Sequence, residues 1–126
     1  MFEDIKELSR SFFHAVDGFL YVIKKERNFQ IEIIFGIFIV VLIFIFNVKN
    51  WEAIILILAV TGVLMMELAN TVIERIVDML KPKIHPYARL IKDIMAAAVL
   101  IASLIAIVIS VIIFYPYFSS FCFVFG

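Results

Sequence analysis

The sequence predicts an all-α membrane protein, an amphipathic surface helix followed by three membrane-spanning helices that associate into an oligomer. Composition is the first of three observations behind this. Of 126 residues, 65% are hydrophobic and only 17% charged, with a mean hydropathy of +1.13. A soluble domain of this size could not cover its surface from so small a polar share, whereas lipid requires no such cover. Second, the apolar residues gather into three stretches long enough to cross a bilayer. Third, the basic residues fall almost entirely on one side of those stretches. Eleven basic and eleven acidic side chains cancel, so no basic excess points to nucleic acid. The single cysteine, Cys122, excludes an internal disulfide framework and reads as apolar filler.

Residues 1–27 carry acids at Glu3, Asp4 and Glu7 in place of a basic leader, so no cleaved signal peptide is predicted. From Ile5, the apolar positions Leu8, Phe12, Val16, Phe19, Leu20 and Ile23 recur every three to four residues, with Lys6, Arg10, Asp17 and Lys24 on other faces. That pattern predicts an amphipathic helix lying on a membrane surface. The first spanning helix is expected over 29–48, unbroken from Ile33 to Phe46. Asn47 to Asn50 form a polar turn, and Trp51 stands where an interfacial aromatic belongs. A second helix, 51–80, stays apolar to Met66 and then carries polar groups along one stripe. Pro82 and Pro86 predict a short loop from Lys81 to Tyr87. The third helix, 88–115, is expected to end at Tyr115-Pro116-Tyr117. The apolar tail, 118–126, carries nothing that assigns it a role.

Lys and Arg number five in the N-terminal segment, five between Arg75 and Lys92, and one, Lys49, on the other side. The positive-inside rule places the N-terminus and the His85 region in the cytoplasm and the C-terminus outside.

Ionisable residues inside or at the edge of hydrocarbon are costly, and so informative. Glu67, Asn70, Glu74 and Asp78 fall within an arc of roughly 80° on one helix. Glu67 lies roughly 24 Å along the axis from Trp51, and Asp93 roughly 33 Å from Tyr115, which puts both at the inner boundary. Glu26 and Glu32 open the first helix at the same level. Glu26, Glu67, Glu74 and Asp93, with Asn70 and Lys92, can therefore converge in one cytoplasm-facing layer. Two carboxylates can share a magnesium ion whose other ligands are water and phosphate oxygens, while a third takes a proton. The plain alternative is ion pairing with Arg75, Arg89 or Lys92. It suits Glu26, Glu32 or Asp78 singly better than it suits Glu67, Asn70 and Glu74 as a set. His14 and His85 are weak signals alone. There is no zinc spacing, and four scattered glycines make no phosphate loop. Gly36 and Gly62, with a small-residue face at Ala98, Ala102 and Ala106, permit close helix contact.

The stretch from Glu67 to Asp78, ELANTVIERIVD, resembles the signature E-x-x-N-[ST]-x-[IV]-E-x-x-V-D of the prokaryotic diacylglycerol kinase and undecaprenol kinase family. His85, Lys92-Asp93 before an alanine-rich helix, and Glu26-Arg27-Asn28-Phe29 upstream extend the resemblance over about residues 10–115. It implies ATP-dependent phosphorylation of a membrane lipid hydroxyl at the cytoplasmic face of a bacterial membrane, by a homotrimer with shared sites. It implies that Glu67 is the base, with Asn70 beside it and Asp93 near the acceptor. By the same resemblance Glu26 and Glu74 hold magnesium, and His14, Glu26, Glu74, Asp78, Lys83, His85, Lys92 and Asp93 surround the ATP. Phe29, Gln30, Glu32 and Glu67 meet the lipid. The segments around Glu26, Asn70 and His85 look more like the undecaprenol kinase branch than the diacylglycerol kinase branch, although Gln30 and Glu32 replace a basic residue and a histidine common there. Phosphoryl transfer chiefly requires positioning and charge neutralisation, which such a residue set provides without a phosphate loop. Two non-kinase readings stand beside this one. A proton-coupled transporter would want its acid near the midplane, and an assembly subunit would not need carboxylates from three helices.

Overall fold

The computed structural model describes residues 1–126, the side chain of Ile84 excepted. It is helical throughout. Helix α1 spans Phe2–Lys25 and α2 Arg27–Phe46. Helical backbone then runs from Asn50 to Phe125. Asp78 and Lys92, fourteen residues apart, meet at 2.6 Å, whereas a straight helix would separate them by about 21 Å. The chain therefore doubles back between them into two arms, α3 (Asn50–Lys83) and α4 (His85–Phe125). Along with α2, these are three helices long and apolar enough to cross a membrane.

Each terminus has a local cause. Helix α1 opens with Glu3 and Asp4 and closes with Lys24 and Lys25, complementing its dipole. Glu26 alone separates α1 from α2: its backbone is extended, and its N–H donates to the Val22 carbonyl at 2.9 Å. The corner is held by Phe29, fully buried and edge-on to Phe19 at 5.6 Å, and by Gln30, whose amide donates to the Ile23 carbonyl at 2.6 Å. Helix α2 ends at Asn47, which takes the left-handed φ of 49° that asparagine tolerates better than most residues. Glu52 then accepts from the Lys49 backbone N–H at 3.2 Å, in the manner of a capping-box glutamate.

The far end of the bundle is aromatic. Phe46 packs against Phe114, Tyr117, Phe118 and Phe121, above a cluster of Val48, Leu56, Ile113 and Phe114. Gly36 lets α2 approach α3, since a Cβ there would stand 2.9 Å from Val60.

The observed helix limits depart from the expected ones in three places. The first spanning helix starts at Arg27, because a one-residue corner suffices to turn the chain out of α1. The expected loop from Lys81 to Tyr87 lies within helical backbone, and the reversal is tied by the Asp78–Lys92 bridge. Pro116 does not end α4, which continues to Phe125 because Tyr117, Phe118 and Phe121 pack on Phe46. Tertiary packing there outweighs the hydrogen bond that proline removes.

Candidate functional site

At the corner end of the bundle the chain presents a layer of carboxylates on an otherwise apolar frame. Glu67 stands on α3 at 6% exposure, the most hidden ionisable side chain of the described residues. Its helix is held there by Thr71, whose hydroxyl donates back to the Glu67 carbonyl at 3.1 Å. No side chain among the described residues donates to the Glu67 carboxylate. Glu32, Glu74 and Glu26 all stand close enough for their charges to bear on it. Four acids from two helices and the corner between α1 and α2 thus share one region.

The positive charges that answer them are few. Arg75 donates to Glu26 at 2.8 Å, tying the corner to α3. The pair is partly solvated, and a bridge of that kind contributes on the order of 1 kcal/mol or less. Asn70 makes a long contact of 3.5 Å to Glu74, one turn on. Lys92 donates to Asp78 at 2.6 Å and joins α4 to α3 on the same side of the bundle. Asp93 is exposed and lies 4.0 Å from Arg89 on its own helix. His14, Lys83 and His85 are exposed and make no hydrogen bond or ion pair with the carboxylates among the described residues.

The arrangement brings together Glu26, Glu32, Glu67, Asn70 and Glu74, with Asp78 and Lys92 beside them. It leaves Asp93, His14, Lys83 and His85 at the periphery. Phe29 and Gln30, expected to meet a lipid, are engaged in holding the corner. Glu32 is half-buried and lines an apolar groove of about 240 Å³ between α2, α3 and α4, with Val60 and Ser110 among its other walls.

One buried carboxylate escaped the sequence reading. Glu52, 9% exposed, sits at the opposite end, where the Lys49 N–H and the Tyr117 hydroxyl both donate to it. Its place three residues after the turn was a capping signal; its tie to Tyr117, sixty-five residues away, left no local trace.

The carboxylate layer can hold a cation and accept a proton. Magnesium takes one or two carboxylates and fills its remaining positions with water and phosphate. Glu26, bridged to Arg75, and Glu74 are carboxylates that could serve in this way, and no cage of three or more His, Cys, Asp or Glu is present among the described residues.

Comparison with known proteins gives this layer a family. The family model for prokaryotic diacylglycerol kinase matches residues 13–114. An undecaprenol kinase of Bacillus subtilis is 33% identical over 113 residues, covering 90% of this chain and 92% of that protein. A diacylglycerol kinase of a Synechocystis species is 30% identical over 100 residues, covering 79% of this chain and 57% of that longer protein. The match takes in the corner, the polar stripe of α3 and the start of α4 together. The chain therefore belongs to the prokaryotic diacylglycerol kinase family and is a multi-pass membrane lipid kinase.

Proposed function

We propose that the protein transfers the γ-phosphate of ATP, with magnesium, to the hydroxyl of undecaprenol, giving undecaprenyl phosphate. The observation that carries this is the hidden Glu67 carboxylate, with no side-chain donor among the described residues, near Glu26, Glu74 and Glu32, the last of which lines an apolar groove. Glu67 takes the proton from the lipid alcohol. The freed oxygen attacks the γ-phosphorus, the bond from that phosphorus to its bridging oxygen breaks, and ADP leaves. Asn70 orients Glu67's neighbour Glu74. Glu26 and Glu74 would hold magnesium, which neutralises phosphate charge when bound. The Arg75 bridge keeps Glu26 from adding its full charge to the cluster. Lys92, joined to Asp78, supplies the positive charge on the α4 side, and Asp93, His14, Lys83 and His85 border the nucleotide. Phe29 and Gln30 shape the corner past which the lipid enters.

Undecaprenol is favoured over diacylglycerol by the segments around Glu26, Asn70 and His85. The near full-length match to the Bacillus undecaprenol kinase also supports it. Residues 1–126 form one kinase domain. Helix α1, with apolar residues at three-to-four spacing, rests on the membrane surface. The basic residues of the corner and of the α3–α4 reversal put that end in the cytoplasm and the C-terminus outside the bacterial cytoplasmic membrane. Three subunits, sharing sites at their interfaces, cover the faces that a bundle this thin leaves open.

The test is magnesium-dependent transfer of labelled γ-phosphate from ATP by the detergent-solubilised protein, with undecaprenol and diacylglycerol presented in parallel and Glu67→Gln as control. Transfer mainly to undecaprenol, lost in the control, is expected. Transfer mainly to diacylglycerol would move the protein to the other branch, and transfer to neither would overturn both assignments.

A further inference from the structure

The groove that begins at Glu32 does not stop at mid-membrane. Phe38, Ile39, Ser110 and Val111 line it and also line a second apolar stretch of about 520 Å³ that continues to Ser119 and Cys122. The two stretches are therefore one furrow between α2 and α4. On α4 it extends from Ser103 to Cys122, roughly 28 Å of rise, close to the hydrocarbon thickness of about 30 Å. One end opens at the carboxylate layer through Glu32, and the other reaches the aromatic cluster around Phe46.

We propose that this furrow seats the apolar chain of the lipid substrate as a single extended strand across the whole membrane, so that a long polyisoprenoid alcohol is selected over a lipid with two acyl chains. The inference rests on placing phosphoryl transfer at the Glu67 layer. The occupant follows from continuity and length: the reactive hydroxyl belongs at Glu32 and Glu67, and a chain leaving it meets apolar wall to the far side. Paired acyl chains end near mid-membrane, about 15 Å in, and would leave the distal half unfilled. A chain already in lipid gains little from burial itself, so selection here is by fit. Ser119, a wall of the distal stretch alone, lies nine residues beyond Ser110, roughly 14 Å farther from the Glu32 end, past the reach of a short chain.

The experiment compares undecaprenol with farnesol, a short isoprenoid alcohol that ends before Ser119, in the wild-type protein and in Ser119→Phe. Ser119 is exposed and stands at the end of the furrow away from Glu32. Ser119→Phe is expected to cut kcat/KM for undecaprenol by about tenfold or more and to leave farnesol within about twofold, the retained farnesol reaction reporting an intact fold. Equal loss for both alcohols, or loss for neither, overturns the proposal. A second measurement needs no substitution. Cys122, exposed and part of the distal wall, is labelled with an apolar maleimide; undecaprenol is expected to slow the reaction severalfold and farnesol to leave it unchanged. Equal protection by both, protection by neither, or protection that appears without lipid and vanishes on dilution, as a second copy in the furrow would give, overturns it. Should neither alcohol be phosphorylated by the wild-type protein, the transfer-site assignment fails, and Cys122 protection judges the furrow by itself.

Discussion

Glu67→Gln separates a reactive carboxylate from a structural one, because the two roles predict opposite effects on stability. The substitution preserves volume at a site only 6% exposed and removes one of four acids that bear on one another. No side chain among the described residues donates to this carboxylate, so its neutralisation breaks no bond; relief of repulsion from Glu32, Glu74 and Glu26 leaves stability unchanged or higher. A buried carboxylate held by a partner would instead cost about 3–5 kcal/mol when that pairing was broken. For turnover, a positioned general base contributes about 10²–10⁴-fold. At about 1.36 kcal/mol per factor of ten, that is a transition-state loss of about 2.7–5.4 kcal/mol. The assay pairs single-turnover phosphorylation with unfolding in mixed micelles. A kcat within twofold of wild type, or a destabilisation of several kcal/mol, would refute the role assigned to Glu67.

Four further substitutions address the rest of the site and frame. Glu26→Gln and Glu74→Gln are each expected to raise the magnesium concentration for half-maximal rate at least tenfold, since even outer-shell changes cost 10–100-fold in metal affinity; titration of magnesium at saturating ATP checks it. Phe29→Ala empties a fully buried position edge-on to Phe19 and should cost about 3 kcal/mol, measured by unfolding, with proteolysis of α1 rising as it undocks from α2. Tyr117→Phe removes a donor from Glu52 and is expected to lower thermal stability while leaving the phosphorylation rate unchanged, because Glu52 lies at the end of the bundle away from Glu67.

What could be read from the sequence, and what could not, follows the range of the interactions involved. The three apolar helices and the polar turn at Asn47 were legible because periodicity, length and a left-handed asparagine are local properties. So was the stripe from Glu67 to Asp78, since residues three, seven and eleven apart share a helix face wherever that helix lies. The break between the surface helix and the first spanning helix was expected two residues later; its place at Glu26 was not legible, because it depends on Phe29 finding Phe19 and Gln30 finding the Ile23 carbonyl. Pro116 was misleading for a related reason. Its effect on the backbone is local, but the aromatic packing on Phe46 that outweighs it joins residues about seventy apart in sequence. Asp93 was placed in the layer by counting residues from Tyr115, which fixes depth along α4 but not the direction of the side chain; in the fold it faces Arg89 and solvent.

The two ends of the bundle show why depth and charge alone do not identify a site. Each end hides a glutamate: Glu52 at 9% exposure and Glu67 at 6%. At the far end Glu52 is answered twice, by the Lys49 N–H and the Tyr117 hydroxyl, and is surrounded by aromatic packing that closes the helices together. A buried carboxylate satisfied in this way has its acceptor sites filled by the fold and has no call for a ligand. At the other end Glu67 has three acids as neighbours and no side-chain donor among the described residues, while the Arg75 guanidinium is directed to Glu26. Like charges gathered on one another are costly, and a cation bound among these acids, as proposed above, would offset that cost, whereas the acid at the far end is already answered by two donors. The asymmetry in hydrogen bonding, more than burial, is therefore what supports placing the proposed chemistry at one end of the bundle and a structural role at the other.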